Sequence, residues 1–294
     1  MRRLILPAAA LLLGACTSAP HAPTAIYAGA STNAKFPGDD RLNATLWMQA
    51  SIEHELVFRE VYHAAQAKLL EALADPAWDA LPKGERTNDA ATLPPAIIVD
   101  VDETVLDNTP FEARMIRDNN GFSDAAWTAW VEQRSARALP GALEFAKFAA
   151  THGVTVFYLT NRADTMTEAT RENLRAQGFP LNAGEETVLG KGANTPGCVA
   201  QDGNKGCRRK LVAQQHRVLQ MFGDQLGDFL DGADADDGTR SHLEQPYQAW
   251  FGERWFALPN PDYGSWENAV THHPADAKLG ADARAAKHAV LREN

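Results

Sequence analysis

The chain reads as an α/β protein: a doubly wound parallel sheet with a helical accessory region. Apolar runs of strand length at residues 96–101, 154–159, 218–222 and 254–258 alternate with segments of helical spacing, the pattern of a parallel sheet covered on both faces. Polar groups follow these runs at their carboxyl ends: Asp100 and Asp102, then Thr160, then Asp224. Ligands of open α/β sheets sit beyond those ends. The first run delivers two carboxylates two residues apart, and in a strand such residues point the same way. Adjacent anions repel unless a cation or a shared proton offsets them.

In chain order, Leu42, Leu46, Ala50, Val57, Val61, Ala64, Ala65, Leu69 and Leu73 recur at steps of three or four. They predict one long helix over 42–73, broken at most once and ended by Asp75-Pro76. Residues 79–95 are a polar connector with Pro and Gly, and 96–101 is a buried strand. Residues 105–139 read as helical, with Trp127 and Trp130 on one face. Pro140-Gly141 breaks this segment before a short helix over 142–151. Val154–Leu159 is the second buried strand. Thr165-Met166-Thr167-Glu168 has the pattern of a capping box opening a helix to about Gln177. Thr187–Leu189 is a short strand candidate, 208–216 a helix, 218–222 a strand, and 254–258 the last strand before Pro259.

The first residues carry an address rather than a fold. Arg2 and Arg3 precede the apolar stretch Leu4–Leu13, which is far shorter than the about 20 residues a spanning helix needs. Leu13-Gly14-Ala15-Cys16 resembles the lipobox of bacterial lipoproteins, which implies cleavage of residues 1–15 and lipidation of Cys16; the alternative is an ordinary secretory signal. Thr17 stands where an Asp would point to inner-membrane retention, so the expectation is an outer-membrane lipoprotein facing the periplasm of a Gram-negative cell. Residues 16–40, rich in Ala, Pro, Ser, Thr and Gly, read as a tether. The domain is expected over 41–270 and a polar tail over 271–294. The net charge of −10 argues against binding a nucleic-acid polymer. With Cys16 lipidated, Cys198 and Cys207 remain in an oxidising compartment, and a disulfide closing the loop between them is expected; two free thiols are the alternative.

Ile98-Val99-Asp100-Val101-Asp102-Glu103-Thr104-Val105-Leu106-Asp107-Asn108, with Gly223-Asp224-Gln225-Leu226-Gly227-Asp228-Phe229 downstream, resembles the paired signatures of class C acid phosphatases. These are bacterial lipoprotein nucleotidases of the haloacid dehalogenase (HAD) superfamily. The similarity runs over roughly 40–270. It takes in Trp127-Thr128-Ala129-Trp130, Phe157-Tyr158-Leu159-Thr160-Asn161-Arg162 and Leu258-Pro259-Asn260-Pro261-Asp262-Tyr263-Gly264. Phe111 stands where the family usually has Tyr, and Gln225 where it usually has Asn.

The resemblance implies a HAD-like Rossmannoid core with helical cap elements near 42–75 and 105–139. It also implies a magnesium-dependent acid phosphatase or 5′-nucleotidase. A carboxylate needs no base to activate it well above pH 4, so Asp100 suits a nucleophile that forms an aspartyl-phosphate. Magnesium is expected between Asp100, the phosphate and Asp224, with the Asp102 backbone carbonyl as a further ligand by family resemblance. The Asp102 side chain is then left to protonate the leaving oxygen and to activate water. Thr160 is expected to hold a phosphate oxygen, and a lysine to offset the remaining charge. Asn204-Lys205-Gly206-Cys207-Arg208 matches the family's Lys-x-x-Arg pattern, which favours Lys205; Lys210 is the competitor. Asp228, four residues after Asp224, is read either as holding a metal-bound water or as a cap or ion-pair partner.

Trp127 and Trp130 could both be core residues. The resemblance instead turns Trp127 to the ligand, paired with Tyr263 as a clamp on a nucleobase. Stacking tolerates any base, so nucleoside monophosphates as a class, together with aryl phosphates, are the expected substrates. Asn161 and Arg162 are further substrate-contact candidates, with ion-pair duty the alternative for Arg162. The acidic stretch 231–238 lacks EF-hand spacing and is read as a solvated loop, and Gly190-Lys191-Gly192 is no P-loop. A dehalogenase on the same fold has no use for Asp102. A surface binding protein or adhesin without turnover is the rival from another class.

Overall fold

The computed structural model describes residues 38–192, 198, 203–271 and 283–293. The expected signal segment, Cys16, the tether up to residue 37 and part of the expected polar tail lie outside them. Among the described residues no helix is long and apolar enough to cross a membrane.

The elements follow in order: α1 (Leu42–Ala50), α2 (Ile52–Ala74), β1 (Pro95–Val99), β2 (Leu106–Asp107), α3 (Thr109–Arg117), α4 (Asp124–Val131), β3 (Arg137–Ala138) and α5 (Ala142–Thr151). Then come β4 (Thr155–Ala163), α6 (Thr167–Gln177), β5 (Val188–Lys191), α7 (Gly206–Gln215), β6 (Arg217–Gly223) and α8 (Leu226–Phe229). The chain closes with α9 (Asp237–Glu244), β7 (Trp255–Ala257), α10 (Ser265–Thr271) and α11 (Ala283–Ala289). Helix α11 falls in the stretch read as a polar tail; its Lys287 pairs with Glu267 at 2.5 Å and its Arg284 with Asp40.

The main sheet has the order β5-β4-β1-β6-β7, and every neighbouring pair is parallel. The doubly wound expectation holds. Alternation sorts the strands' side chains onto two cores. Ile97, Val99, Val156, Tyr158 and Leu219 face α2, α3, α5 and α6, while Ala96, Ile98, Phe157, Leu159, Val218 and Met221 face α7 and α8. Helix α2 shows how the sequence builds one cover. The Ser51 hydroxyl accepts from the His54 N–H at 3.0 Å, and Glu53 and Glu55 sit in the positive first turn. Phe58, Tyr62, Ala65, Leu69 and Ala72 then recur at helical steps and are all buried. The single break allowed for in 42–73 falls at Ser51.

Residues 105–139 are not one helical stretch. Strands β2 and β3 form an antiparallel ribbon around α3 and α4. The Asp107 carboxylate accepts from the Thr109 N–H at 2.9 Å and starts α3, with Pro110 in its first turn. Asn119, at φ 51°, turns the chain out of it, and the Ser123 hydroxyl caps α4 by accepting from the Ala126 N–H. The capping box read at Thr165–Glu168 is also absent. A 3-10 turn over Asp164–Met166 comes first, and α6 begins at Thr167 without a side-chain cap.

Candidate active site

Strands β4 and β5 lie on one side of β1, β6 and β7 on the other, so the winding reverses between β1 and β6. A crevice opens at such a switch point. Asp100 follows β1 directly, and its N–H continues the ladder to the Phe222 carbonyl at 3.0 Å. Asp224 follows β6. The two acids therefore enter the crevice from adjacent strands.

Asp228 completes the group. One carboxylate atom each from Asp100, Asp224 and Asp228 lie within 4.8 Å of one another. Helix α8 holds Asp228 in place: its carboxylate accepts from the Gln225 N–H at 2.8 Å, half of a capping box. Asp228 folds back over Gly223, where any Cβ would collide with its side chain, so that glycine is required by close approach. Asp228 thus caps, forms an ion pair and belongs to the carboxylate cluster all at once.

Lys205, which precedes α7, is buried at the same point. Its Nζ donates to Asp100, to Asp228 at 2.7 Å and to the Leu159 carbonyl at 2.7 Å. Lys210 is exposed on α7. Burial lowers the Lys205 ammonium, but Asp100 and Asp228 outweigh it and raise the group above the usual lysine range. The loop before Lys205 is fixed by Asn161, whose amide donates to the Gly203 carbonyl at 2.9 Å and whose oxygen accepts from Arg208 at 2.6 Å. Arg208 also reaches the Thr160 carbonyl. Asn161, expected at the substrate, instead ties the ends of β4 and α7 together. Cys198 and Cys207 are joined, with Cα atoms 5.6 Å apart, so a covalent link starts two residues after Lys205.

Asp102 is turned to a different set of partners. The Arg162 guanidinium donates to its carboxylate at 2.7 and 3.0 Å, Asn108 at 2.8 Å and the Thr160 hydroxyl at 3.2 Å. Asn108 is itself set by Trp130, whose indole N–H donates to it at 2.8 Å. Trp130 is buried, as a core residue would be, whereas Trp127 is half-buried. Trp127 packs edge-on against Phe111 at 5.2 Å between ring centroids, and the Arg162 guanidinium lies 5.4 Å from its ring. Arg162 thus forms the ion pair weighed for it and leads from Trp127 to Asp102. Phe111 fills the departure position with a ring that makes no hydrogen bond.

The segment Pro259–Gly264 closes the far side. Asn260 donates to Asp224 at 2.7 Å, and Gln225, the other departure, donates to Asp224 at 2.9 Å and to the Tyr263 carbonyl at 3.2 Å. The Tyr263 hydroxyl donates to the buried Glu103. Neither Asn260 nor Glu103 was singled out from the sequence, although each lies inside a quoted motif. Arg209, also buried, pairs with Glu85 and with Asp231 at 3.0 Å, so the acidic loop is tied down at its start.

The electrostatics fit a bound cation. The Asp100 carboxyl stands at about 7: burial raises it most, Lys205 opposes the rise, and Asp228 and Asp102 add to it. Burial, then Asp228 and Asp100, push Asp224 well above the ordinary range, against two amide donors. One lysine thus faces three carboxylates, and oxygen donors in that number and spacing suit a hard divalent ion.

The structure is similar to that of the class C acid phosphatase from Bacillus anthracis, with a TM-score of 0.72 and 32% identity over 86% of this chain and 97% of that one. That phosphatase has also been solved with tungstate bound, and the agreement is the same. Among curated proteins, acid phosphatase 1 of Solanum lycopersicum is 30% identical over 166 residues, 56% of this chain and 57% of that protein. The stem 28 kDa glycoprotein of Glycine max is 26% identical over 168 residues, 56% and 58% of the two chains. The match therefore spans little more than half the length of these curated relatives. A family profile described as HAD superfamily, subfamily IIIB (Acid phosphatase), matches residues 39–266. With that match across most of its length and the same fold in a class C relative, the chain belongs to the subfamily IIIB acid phosphatases of the HAD superfamily.

Proposed function

We propose that this protein is a magnesium-dependent phosphomonoesterase that hydrolyses nucleoside monophosphates and aryl phosphates through an aspartyl-phosphate at Asp100. The observation that carries the reading is the convergence of Asp100, Asp224, Asp228 and Lys205 at the switch point, beside a separately held Asp102. Asp100, Asp224 and Asp228 would hold the divalent ion, joined by the Asp102 carbonyl, and the ion would neutralise charge on the phosphoryl oxygens. The tungstate taken up by the Bacillus anthracis relative is a tetrahedral oxyanion, as phosphate is.

An Asp100 carboxylate oxygen attacks phosphorus, and the bond from phosphorus to the ester oxygen breaks. Lys205 steadies the carboxylate and offsets charge that gathers on the phosphoryl group. The Thr160 hydroxyl is placed to donate to a phosphoryl oxygen when it leaves Asp102. Asp102 serves as the proton-transfer group. In the second half-reaction Asp102, held by the Arg162 fork, takes a proton from the water that attacks phosphorus. In the first half-reaction the proton arrives with the substrate: a phosphomonoester has a second pKa near about 6 and is a monoanion in the acid range. Asp102 relays that proton to the leaving oxygen. Trp127 and Tyr263 supply the aromatic walls for the leaving group. Lipidation at Cys16 would anchor the enzyme to the outer membrane, facing the periplasm.

Phosphate release from 4-nitrophenyl phosphate and adenosine 5′-monophosphate, with magnesium and with chelator, tests the reading. Asp100→Asn should lower the rate by more than about 10³, since nucleophile and ligand are lost together. Wild-type turnover in chelator, or a fully active Asp100→Asn, contradicts it. Tight nucleotide binding with no turnover would favour the adhesin-like alternative.

A further inference from the structure

Glu103 follows directly on Asp102 and takes no part in the proposed mechanism. Its side chain is fully buried, and its backbone adopts the left-handed region at φ 55°. That conformation is strained for a residue with a Cβ, so the surroundings must impose it. They do: the Glu103 N–H donates to the Leu106 carbonyl at 3.0 Å, and its carboxylate accepts from the Asn108 N–H at 2.7 Å. The turn brings Glu103 onto the hydroxyl of Tyr263, with Asn108 shared between it and Asp102.

Tyr263 belongs to a segment fastened toward β6 and, through the Asp262 carboxylate that accepts from the Thr45 hydroxyl at 2.8 Å, to α1. Asn260 holds Asp224, Gln225 holds the Tyr263 carbonyl, and the Tyr263 N–H donates to the Asn260 side chain at 3.3 Å. The Glu103 contact ties the Tyr263 side chain itself to the loop after β1. From this geometry we infer that Glu103 is a positioning residue. It pins the Tyr263 hydroxyl so that the ring stands as a fixed wall of the leaving-group site and the Asn260 segment stays closed over Asp224.

The inference rests on the proposed function for its kinetic consequence, but the pin itself can be measured without turnover. Tyr263→Phe keeps the ring and removes the hydroxyl; Glu103→Gln keeps a side chain able to accept the bond. Hydrogen–deuterium exchange across residues 258–266 should accelerate in Tyr263→Phe roughly ten-fold, the scale of one buried hydrogen bond. Glu103→Gln should stay closer to wild type, and adding it to Tyr263→Phe should give no further change. KM for adenosine 5′-monophosphate should rise by a similar factor in Tyr263→Phe relative to the KM for a small aliphatic phosphate. Unchanged exchange in Tyr263→Phe overturns the pin. Faster exchange with an unaltered ratio of the two KM values overturns its role in positioning the wall. A wild-type chain that releases no phosphate from either substrate defeats the functional reading instead, and the exchange result still decides whether the pin exists.

Discussion

Replacing Lys205 by Met takes the only buried ammonium out of the described carboxylate cluster while keeping most of the side-chain volume. At 2.7 Å, the Lys205–Asp228 pair alone interacts by about 6 kcal/mol at an effective dielectric constant of about 20. Burying the ammonium offsets much of that. Removing one partner of a buried pair nevertheless costs about 3–5 kcal/mol, because the other charge is left uncompensated. Three carboxylates within 4.8 Å would then have lost the ammonium that pairs directly with Asp100 and Asp228. Urea denaturation of Lys205→Met in chelator should show a loss of this size, and magnesium should recover part of it. Phosphate release should fall by about 10²–10³, as when one group stabilising transition-state charge is lost. Lys210→Met, on the exposed face of α7, should change neither. A Lys205→Met protein with wild-type stability and rate would refute the reasoning, and a rate loss in Lys210→Met alone would hand the role to the competitor.

Trp127→Ala should raise KM for nucleotides by about ten-fold, the scale of one base–aromatic stack, and leave small aliphatic phosphates little affected; equal effects would make Trp127 a packing residue. Adding magnesium to the chelated protein should raise the midpoint of thermal unfolding, by about 2.7 kcal/mol of stability at a hundred times the dissociation constant; no shift would mean the cluster binds no ion. Burial, then Asp262, push the Glu112 carboxyl up to about 7 from 4.5, with Arg41 pulling it down. A raised folded-state value means this stabilisation is complete below about pH 4.5 and is lost as pH rises through 7. Glu112→Gln should therefore be near wild-type stability at pH 4.5 and more stable at pH 8, by up to about 3 kcal/mol at 1.4 kcal/mol per unit. Equal differences at both pH values would show that Glu112 does not titrate in this way.

The strands and their carboxyl-end acids were legible because a buried parallel strand is an apolar run with an abrupt polar end. That single signal places Asp100, Thr160 and Asp224 at one edge of the sheet, and family motifs extend it to Lys205. In 105–139 the helical spacing of Trp127 and Trp130 masks the local punctuation that divides the region. Asn119-Asn120-Gly121 and the Ser123 cap were present as chain breakers, and Asp107 before Thr109-Pro110 marked a helix start. Arg208 and Arg209 look like the exposed face of a basic helix. Their full burial depends on partners far away in sequence, Thr160 and Glu85, which no local pattern announces. The same holds for Glu103 and Asn260, whose contacts join the loop after β1 and the end of β6 to the segment after β7. Asn161 shows the converse: its motif position suggested the substrate, but its amide is engaged by backbone and by Arg208.

A crystal of the protein grown with magnesium and soaked in beryllium fluoride reports on nucleophile and cation in one experiment. The account predicts a fluoroberyllate group bonded to an Asp100 carboxylate oxygen, contacting Lys205 and Thr160, with one ion beside Asp224 and Asp228. An adduct on any other side chain, or density for neither adduct nor ion at the ends of β1 and β6, would contradict it.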